Sequence, residues 1–257
     1  MTRHLDFEGI ENFRDFGGYD TACGRGVKRE MLYRSAHHAG ATESDLQRLR
    51  EMGVSVVVDL RRTAERQRDP SRRFEGFRGH VIENDLGVPH DPWAEVLKTS
   101  DLSPDFFRND AMSFYRAAPL EERHIDLFSR YFQILGEAEG PVLVHCAAGK
   151  DRTGMLCALT HHIAGVHDDD IFADYLLTND EARIARRMPW LVSFVEETCG
   201  RAPTEEAARV AMSVEPDYLR AALEVMSQAH GSVDGYLEEA LGVTADLRDK
   251  IAAKILG

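Results

Sequence analysis

The sequence predicts an α/β fold: a central, mostly parallel sheet flanked by helices, with a C-terminal helical extension. Two β-branched runs, Val54–Leu60 and Pro141–His145, have the unbroken apolar character of strands buried on both faces. Segments of helical period alternate with these runs in the earlier part of the chain. From Asp168 onward the strand signals stop and the helical ones continue almost to the end.

Residues 12–20 end in Gly17-Gly18, a turn signal. Met31–Ser35 is short and apolar enough for a strand. Thr42 with Asp45 three residues on reads as a capped helix start, Leu46 and Leu49 give that helix an inner face, and Gly53 ends it. Val54–Leu60 is the next strand, and Gly79–Glu83 a weaker one. Phe128–Leu135 is apolar and helical. Pro141–His145 is the second clear strand, followed by a helix over Thr153–Ile163 that Gly165 stops. Towards the end, Ser232 and Thr244 are N-cap types and Gly242 a C-cap. Leu247, Ile251 and Ile255 fall on one face of a last helix.

At 257 residues the chain fits one domain, residues 1–257, with a helical segment at about 180–215. Lys and Arg total 31 against 44 Asp and Glu, a formal charge of −13, which excludes a broad nucleic-acid-binding face but not one local basic pocket. The four cysteines, at 23, 146, 157 and 199, form no Cys-x-x-Cys pair, so neither a disulfide framework nor a zinc site is expected. The polar start MTRHLDFEGIENFRDFGG and the lack of a membrane-length apolar run lead to the expectation of a cytoplasmic protein without stable membrane insertion. Export by a route that needs no signal leaves no mark in a sequence. No cofactor is implied.

The chemistry concentrates in HCAAGKDRTG, residues 145–154, where the 141–145 strand feeds a loop and the loop feeds a helix. Amides at such a turn and the positive end of the helix dipole form an anion site. Gly149 allows the tight turn. Cys146 sits where the same amides would stabilise its thiolate and make it a nucleophile. Five residues intervene before Arg152, which returns the chain to the rim, where a guanidinium can take two oxygens of one anion. Ala147, Ala148, Gly149, Lys150, Thr153 and Gly154 complete the cup. The Thr153 hydroxyl is placed to donate to the sulfur and help it leave. His145 is expected to fix the loop.

HCAAGKDRTG resembles the Cys-x5-Arg signature of the protein tyrosine phosphatase superfamily, and its Lys150-Asp151 pair resembles the atypical bacterial tyrosine and lipid phosphatases. NFRDFGG (12–18), LYRSA (32–36), VVDLRRTAE (57–65), DYLLTND (174–180) and residues 218–243 resemble other blocks of that type, so the likeness spans nearly the whole chain. It implies attack of Cys146 on phosphorus, a cysteinyl-phosphate, its hydrolysis by water, and no metal, with amides and Arg152 stabilising the charge. The substrate implied is a phosphorylated protein, phosphotyrosine first, with phosphoinositides or inositol phosphates as the alternative. A binding module without turnover is the alternative from another class, although Cys146 and Arg152 are both present.

The leaving oxygen needs an acid, and no Trp-Pro-Asp occurs. Asp151 resembles the loop carboxylate of myotubularin-like phosphatases and is the first choice. Asp85 and Asp91 are the alternatives. Lys150 either adds charge for multiply phosphorylated substrates or is a surface lysine. Arg61 and Glu65, at i and i+4, suggest an ion pair, with Arg61 a supporting residue near substrate. Residues 180–215 resemble an insertion that acts as a lid over the pocket; plain core helices are the alternative. His161, His162, His167 and Asp168–Asp170 match no strong metal motif, His37 and His38 read as loop, and the Arg-rich stretch 61–78 reads as a solvated face. The oligomeric state is not legible.

Overall fold

The computed structural model describes residues 3–87 and 92–257; Asp91 lies outside the described residues. Five strands, β1 (Arg14–Asp15), β2 (Leu32–Ser35), β3 (Val56–Asp59), β4 (His80–Ile82) and β5 (Val142–His145), form one sheet in the order β1-β2-β5-β3-β4. Among these five strands β1 and β2 pair antiparallel and the other three pairings are parallel. The helices are α1 (Glu43–Glu51), α2 (Thr63–Arg68), α3 (Pro92–Thr99), α4 (Pro104–Ala117), α5 (Glu122–Glu137), α6 (Asp151–Ala164), α7 (Asp168–Leu176), α8 (Glu181–Cys199), α9 (Glu205–Met212), α10 (Pro216–His230), the short α11 (Val233–Gly235) and α12 (Ala245–Ile255). Among the described residues no helix is long and apolar enough to cross a membrane.

Strands β2, β3 and β5 are short and wholly buried, whereas β4 at the sheet edge buries only Ile82. In β3, Val56 and Val58 face one cluster and Val57 the other; in β5, Val142 and Val144 oppose Leu143 in the same way. This is the two-residue alternation of a strand with a core on each side. One core holds Phe128 of α5, Leu156 of α6 and Ile251 of α12. The other holds Leu46 and Leu49 of α1. The capping box expected at α1 forms: Asp45 N donates to Thr42 Oγ1 at 3.2 Å and Thr42 N to Asp45 Oδ2 at 3.1 Å. Asp45 also accepts from the amides of Glu8 and Gly9, which fastens the N-terminal segment. Leu247, Ile251 and Ile255 are all buried on α12.

A third apolar cluster stands apart from the sheet. It joins Leu97 of α3, Phe107 of α4, Ile184, Leu191 and Val195 of α8 and Ala207 of α9. The 180–215 segment is therefore two helices with a bend between them, packed on α3 and α4. Helices α3 and α4 are not among the elements expected from the sequence. Ser103 caps α4, accepting from Phe106 N at 3.0 Å, and Pro104 opens it, which is the pattern that marks such a start.

Candidate active site

Strands β2, β5 and β3 end level with one another, Ser35 opposite His145 and His145 opposite Asp59. Open sheets of this kind bind ligands beyond the carboxyl ends of their strands. The 145–150 loop leaves β5 there and enters α6 at Asp151. Gly149 has φ of 63°, and a Cβ on it would come 2.3 Å from Ser35 O, so only glycine passes. Gly154 is equally closed: a Cβ there would meet the Tyr175 ring at 2.9 Å, so α6 and α7 pack at glycine distance.

Cys146 is only 2% exposed and lines a cavity of about 450 Å³. Ala147, Ala148, Lys150, Asp151 and Arg152 line the same cavity. The structure thus brings together Cys146, Arg152 and Asp151, which the sequence singled out as candidate nucleophile, cation and loop carboxylate. Thr153 is fully buried and its Oγ1 has no hydrogen-bond partner, so the expected bond to the sulfur is not formed.

Arg152 is held by a residue the sequence reading assigned elsewhere. Its Nη1 and Nη2 donate to Glu65 Oε2 and Oε1 at 2.5 and 2.7 Å, and Nη1 also donates to Leu60 O at 3.2 Å. Burial opposes the charge on Glu65, yet the Arg152 fork carries its carboxyl down to about 2. The Arg61–Glu65 pair suggested by their spacing does not form. Arg61 instead donates from Nε and Nη2 to Asp59 at 2.9 and 2.7 Å, a buried bidentate pair at the end of β3. A helix could have paired them, but Arg61 precedes α2 and only Glu65 lies in it.

Asp59 sits 3.6 Å from His145 Nε2. Burial raises the cost of its charge, but His145 and the Arg61 fork hold its carboxyl well below the usual range. Burial pushes His145 down to about 4 against the pull of Asp59, so the ring is neutral. Its Nδ1 lies 3.3 Å from Cys146 O, and the ring stacks on His38 at 4.5 Å. His145 therefore braces the first peptide of the loop from inside the protein.

Asp151 accepts a hydrogen bond at Oδ1 from Tyr115 Oη at 2.9 Å, and Tyr115 is bonded in turn to Tyr175 Oη at 2.7 Å. Tyr115 lies on α4, so the helix that escaped the sequence reading carries the group that orients the loop carboxylate. Lys150 is 8% exposed and is not a surface lysine. Its Nζ donates to Ala211 O at 2.6 Å and Ser213 O at 3.2 Å, at the negative end of α9. Asp85 lies on the outside: its side chain is 77% exposed, accepts from Thr63 Oγ1 at 2.7 Å and pairs with Arg66.

The far wall of the cavity is aromatic. Trp190 and Phe194 of α8 stack at 5.4 Å, Trp93 of α3 stacks on Phe194 at 5.7 Å, and the Arg187 guanidinium lies 3.9 Å over the Trp190 ring. Asp110 of α4 accepts from Trp93 Nε1 at 3.1 Å, and burial raises its pKa above the usual carboxyl range. The histidines once weighed for metal diverge: His161 turns inward to Phe16 O at 2.7 Å and His162 outward to Asp234 at 3.3 Å.

The model of the tyrosine phosphatase family matches residues 5–257. A Cupriavidus necator protein whose name places it among the tyrosine-protein phosphatases is 31% identical over 251 residues, covering 96% of this chain and 88% of that protein. The triple specificity protein phosphatase PtpB of Mycobacterium tuberculosis is 29% identical over 278 residues, covering 98% of this chain and 99% of the other. Among solved structures, the crystal structure of P. aeruginosa TpbA is similar over 76% of this chain and 87% of that one, with 19% identity and a TM-score of 0.31.

Proposed function

This chain belongs to the tyrosine phosphatase family, and we propose that it releases phosphate from phosphotyrosine through a cysteinyl-phosphate on Cys146. The observation that carries this is the meeting, in one cavity, of Cys146, Asp151 and an Arg152 fixed by Glu65. A guanidinium has five N–H donors. Two engage Glu65 and one engages Leu60 O. The two left over can take two oxygens of one phosphoryl group.

In the first step the Cys146 sulfur forms a bond to phosphorus as the bond to the leaving oxygen breaks, and Asp151 gives that oxygen its proton. In the second step Asp151 takes a proton from water, the water oxygen bonds to phosphorus, and the thiolate leaves. Arg152 and the loop amides hold the developing charge in both. Tyr115 supports the role of Asp151 by fixing Oδ1, while Oδ2 lies 3.7 Å from Lys150 Nζ. Asp85, exposed and engaged by Arg66, is worse placed for it.

A second substrate class has its own support. Arg62, Arg68 and Arg187 line the cavity beside Lys150 and Arg152, enough cationic groups for a substrate with more than one phosphate. A phosphoinositide or inositol phosphate is that kind of ligand, and the Mycobacterium tuberculosis relative is named for triple specificity. Helices α8 and α9 serve in this reading as a cover over the cavity. The four free cysteines fit a reducing compartment such as the cytoplasm.

The test is phosphate release from an aryl phosphate and from a panel of phosphopeptides, phosphoinositides and inositol phosphates, all with chelator present. Cys146→Ser should lower turnover by at least about a thousandfold. Well-folded protein that turns over no monoester while still binding phosphopeptide would make the protein a binding module instead.

A further inference from the structure

The sequence blocks around Asn12, Arg34 and Asp174 have no part in the steps above, yet they converge behind the loop. Arg14 and Arg34 are 0% exposed and Asp174 is 1% exposed. Asp174 holds both cations: Arg34 Nη1 donates to Oδ2 at 2.9 Å, and Arg14 Nε lies 3.6 Å from Oδ1. Arg14 Nη1 donates to Asn12 Oδ1 at 2.6 Å, which turns the Asn12 amide nitrogen to the loop. From there Asn12 Nδ2 donates to Ala148 O at 3.1 Å and to Gly149 O at 2.9 Å. Arg34 Nη2 donates to Gly149 O at 3.0 Å, and His37 N to Ala147 O at 3.1 Å.

A trans peptide points its carbonyl and the next N–H in opposite directions, and the chain has no cis peptide among the described residues. With the carbonyls of Ala147, Ala148 and Gly149 tied back, the N–H groups of Ala148, Gly149 and Lys150 are aimed the other way, to the cavity side. Asn12 itself has φ of 54°, a left-handed conformation that asparagine tolerates better than most side chains. The residue therefore meets two demands at once, an unusual backbone and a donor able to span two carbonyls.

The cluster is also unbalanced. Two buried cations face one carboxylate, and an uncompensated charge is costly away from water. Behind the loop, Cys157 and His161 do not supply the second anion. Burial pushes the Cys157 thiol up to about 12 and keeps it neutral. Burial likewise lowers the pKa of His161, and an imidazole supplies no negative charge. The balance can be completed from the other side of the loop, by the Cys146 sulfur in its thiolate form and by a phosphoryl oxyanion bound there.

We infer that Asn12, Arg14, Arg34 and Asp174 form a buried positioning unit that aims the loop amides and supplies, from behind, positive charge that holds a phosphoryl oxyanion. This rests on the reading of the Cys146 loop as the phosphoryl site. Inorganic tungstate is the probe, its affinity measured by calorimetry and as competitive inhibition of aryl phosphate hydrolysis. Asn12→Gly keeps the left-handed backbone and removes the amide, and should weaken tungstate about tenfold, with KM rising alongside. Asn12→Asp keeps the shape, sets oxygen against carbonyl oxygen and cancels the buried charge, so it should weaken tungstate further. Arg34→Lys should retain more affinity than Arg34→Met. A merely structural role would lower the unfolding temperature and leave tungstate affinity unchanged. The inference is overturned if both Asn12 variants fold and bind tungstate within about twofold of wild type, a change smaller than one hydrogen bond to a loop carbonyl. It is equally overturned if neither Asn12 variant folds, since the unit is then a folding element. Arg34 variants that fail to fold leave the Asn12 pair to decide. Wild-type protein that binds no tungstate would instead sink the assignment of the loop as the phosphoryl site.

Discussion

The two sides of the cavity are built from different interactions. Behind the loop the contacts are polar, buried and directional: Glu65 on Arg152, Tyr115 on Asp151, Asn12 and Arg34 on the loop carbonyls. In front the contacts are stacked rings, Trp93, Phe194 and Trp190, of which Trp190 is 39% exposed. Hydrogen bonds fix angles, and a dense set of them leaves a reacting group one place to be. Stacking fixes area and little else, so the same wall can accept ligands of different shape. The difference teaches where the protein needs geometry and where it needs tolerance.

The comparison can be broken most forcefully from the back. Asp151→Asn should lower kcat for substrates with poor leaving groups by about a hundredfold or more and flatten one limb of the pH–rate profile, with a smaller loss on activated aryl phosphates. A near wild-type profile would remove Asp151 from proton transfer. Tyr115→Phe keeps the ring against Tyr175 and should reproduce part of that loss. Next comes Glu65→Gln, which leaves Arg152 without its charged partner; kcat/KM should fall roughly tenfold to a hundredfold. An unchanged kcat/KM would mean that the loop orients Arg152 alone.

The front should respond more weakly and in another parameter. Trp190→Ala should raise KM for aryl and peptide substrates by about threefold and leave kcat within about twofold, because the contact it removes is an exposed stack. A loss confined to kcat would place Trp190 in the back group.

The smallest effect is on stability, and it too sorts the regions. Glu65 has its carboxyl lowered from 4.5 to about 2, so its contribution is present above 4.5 and is lost as pH falls from there to about 2. His145 is lowered from 6.5 to about 4, so its neutral burial favours folding above 6.5 and that advantage disappears as pH falls to about 4. Thermal unfolding followed from pH 7 downward should therefore show two successive losses. Glu65→Gln should shrink the lower one, to which the lowered carboxyls of Asp59 and Glu121 also contribute, and leave the upper. Trp190→Ala should alter neither.

Much of the back of the site was legible in the residues, but not its wiring. The strand, the loop and the start of α6 are contiguous, so spacing alone placed Cys146 and Arg152 in one cup. Lys150 and Asp151 followed as loop members. Their partners lie far along the chain: Glu65 is 87 residues from Arg152, Tyr115 is 36 from Asp151, and Asn12 is 137 from Gly149. Periodicity carries no information at that separation. The pairing of Arg61 with Glu65 was the error such reasoning invites, a local rule applied across a helix boundary. Helix α4 had a signal in Ser103-Pro104, yet its apolar face is diluted by Arg108, Asn109 and Asp110, and those polar residues turn out to border the cavity or the solvent.

By itself, then, the sequence determined the buried strands, the capped helices and the turn after β5 that carries Cys146 and Arg152, because each follows from residues close together in the chain and from their backbone preferences. Only the tertiary structure decided which carboxylate holds Arg152, which hydroxyl steadies Asp151, and that Lys150 is tied to α9 instead of facing solvent. The reason is physical: a hydrogen bond or ion pair forms where burial excludes water and brings two groups within reach, and that is settled by the packing of elements, not by their order.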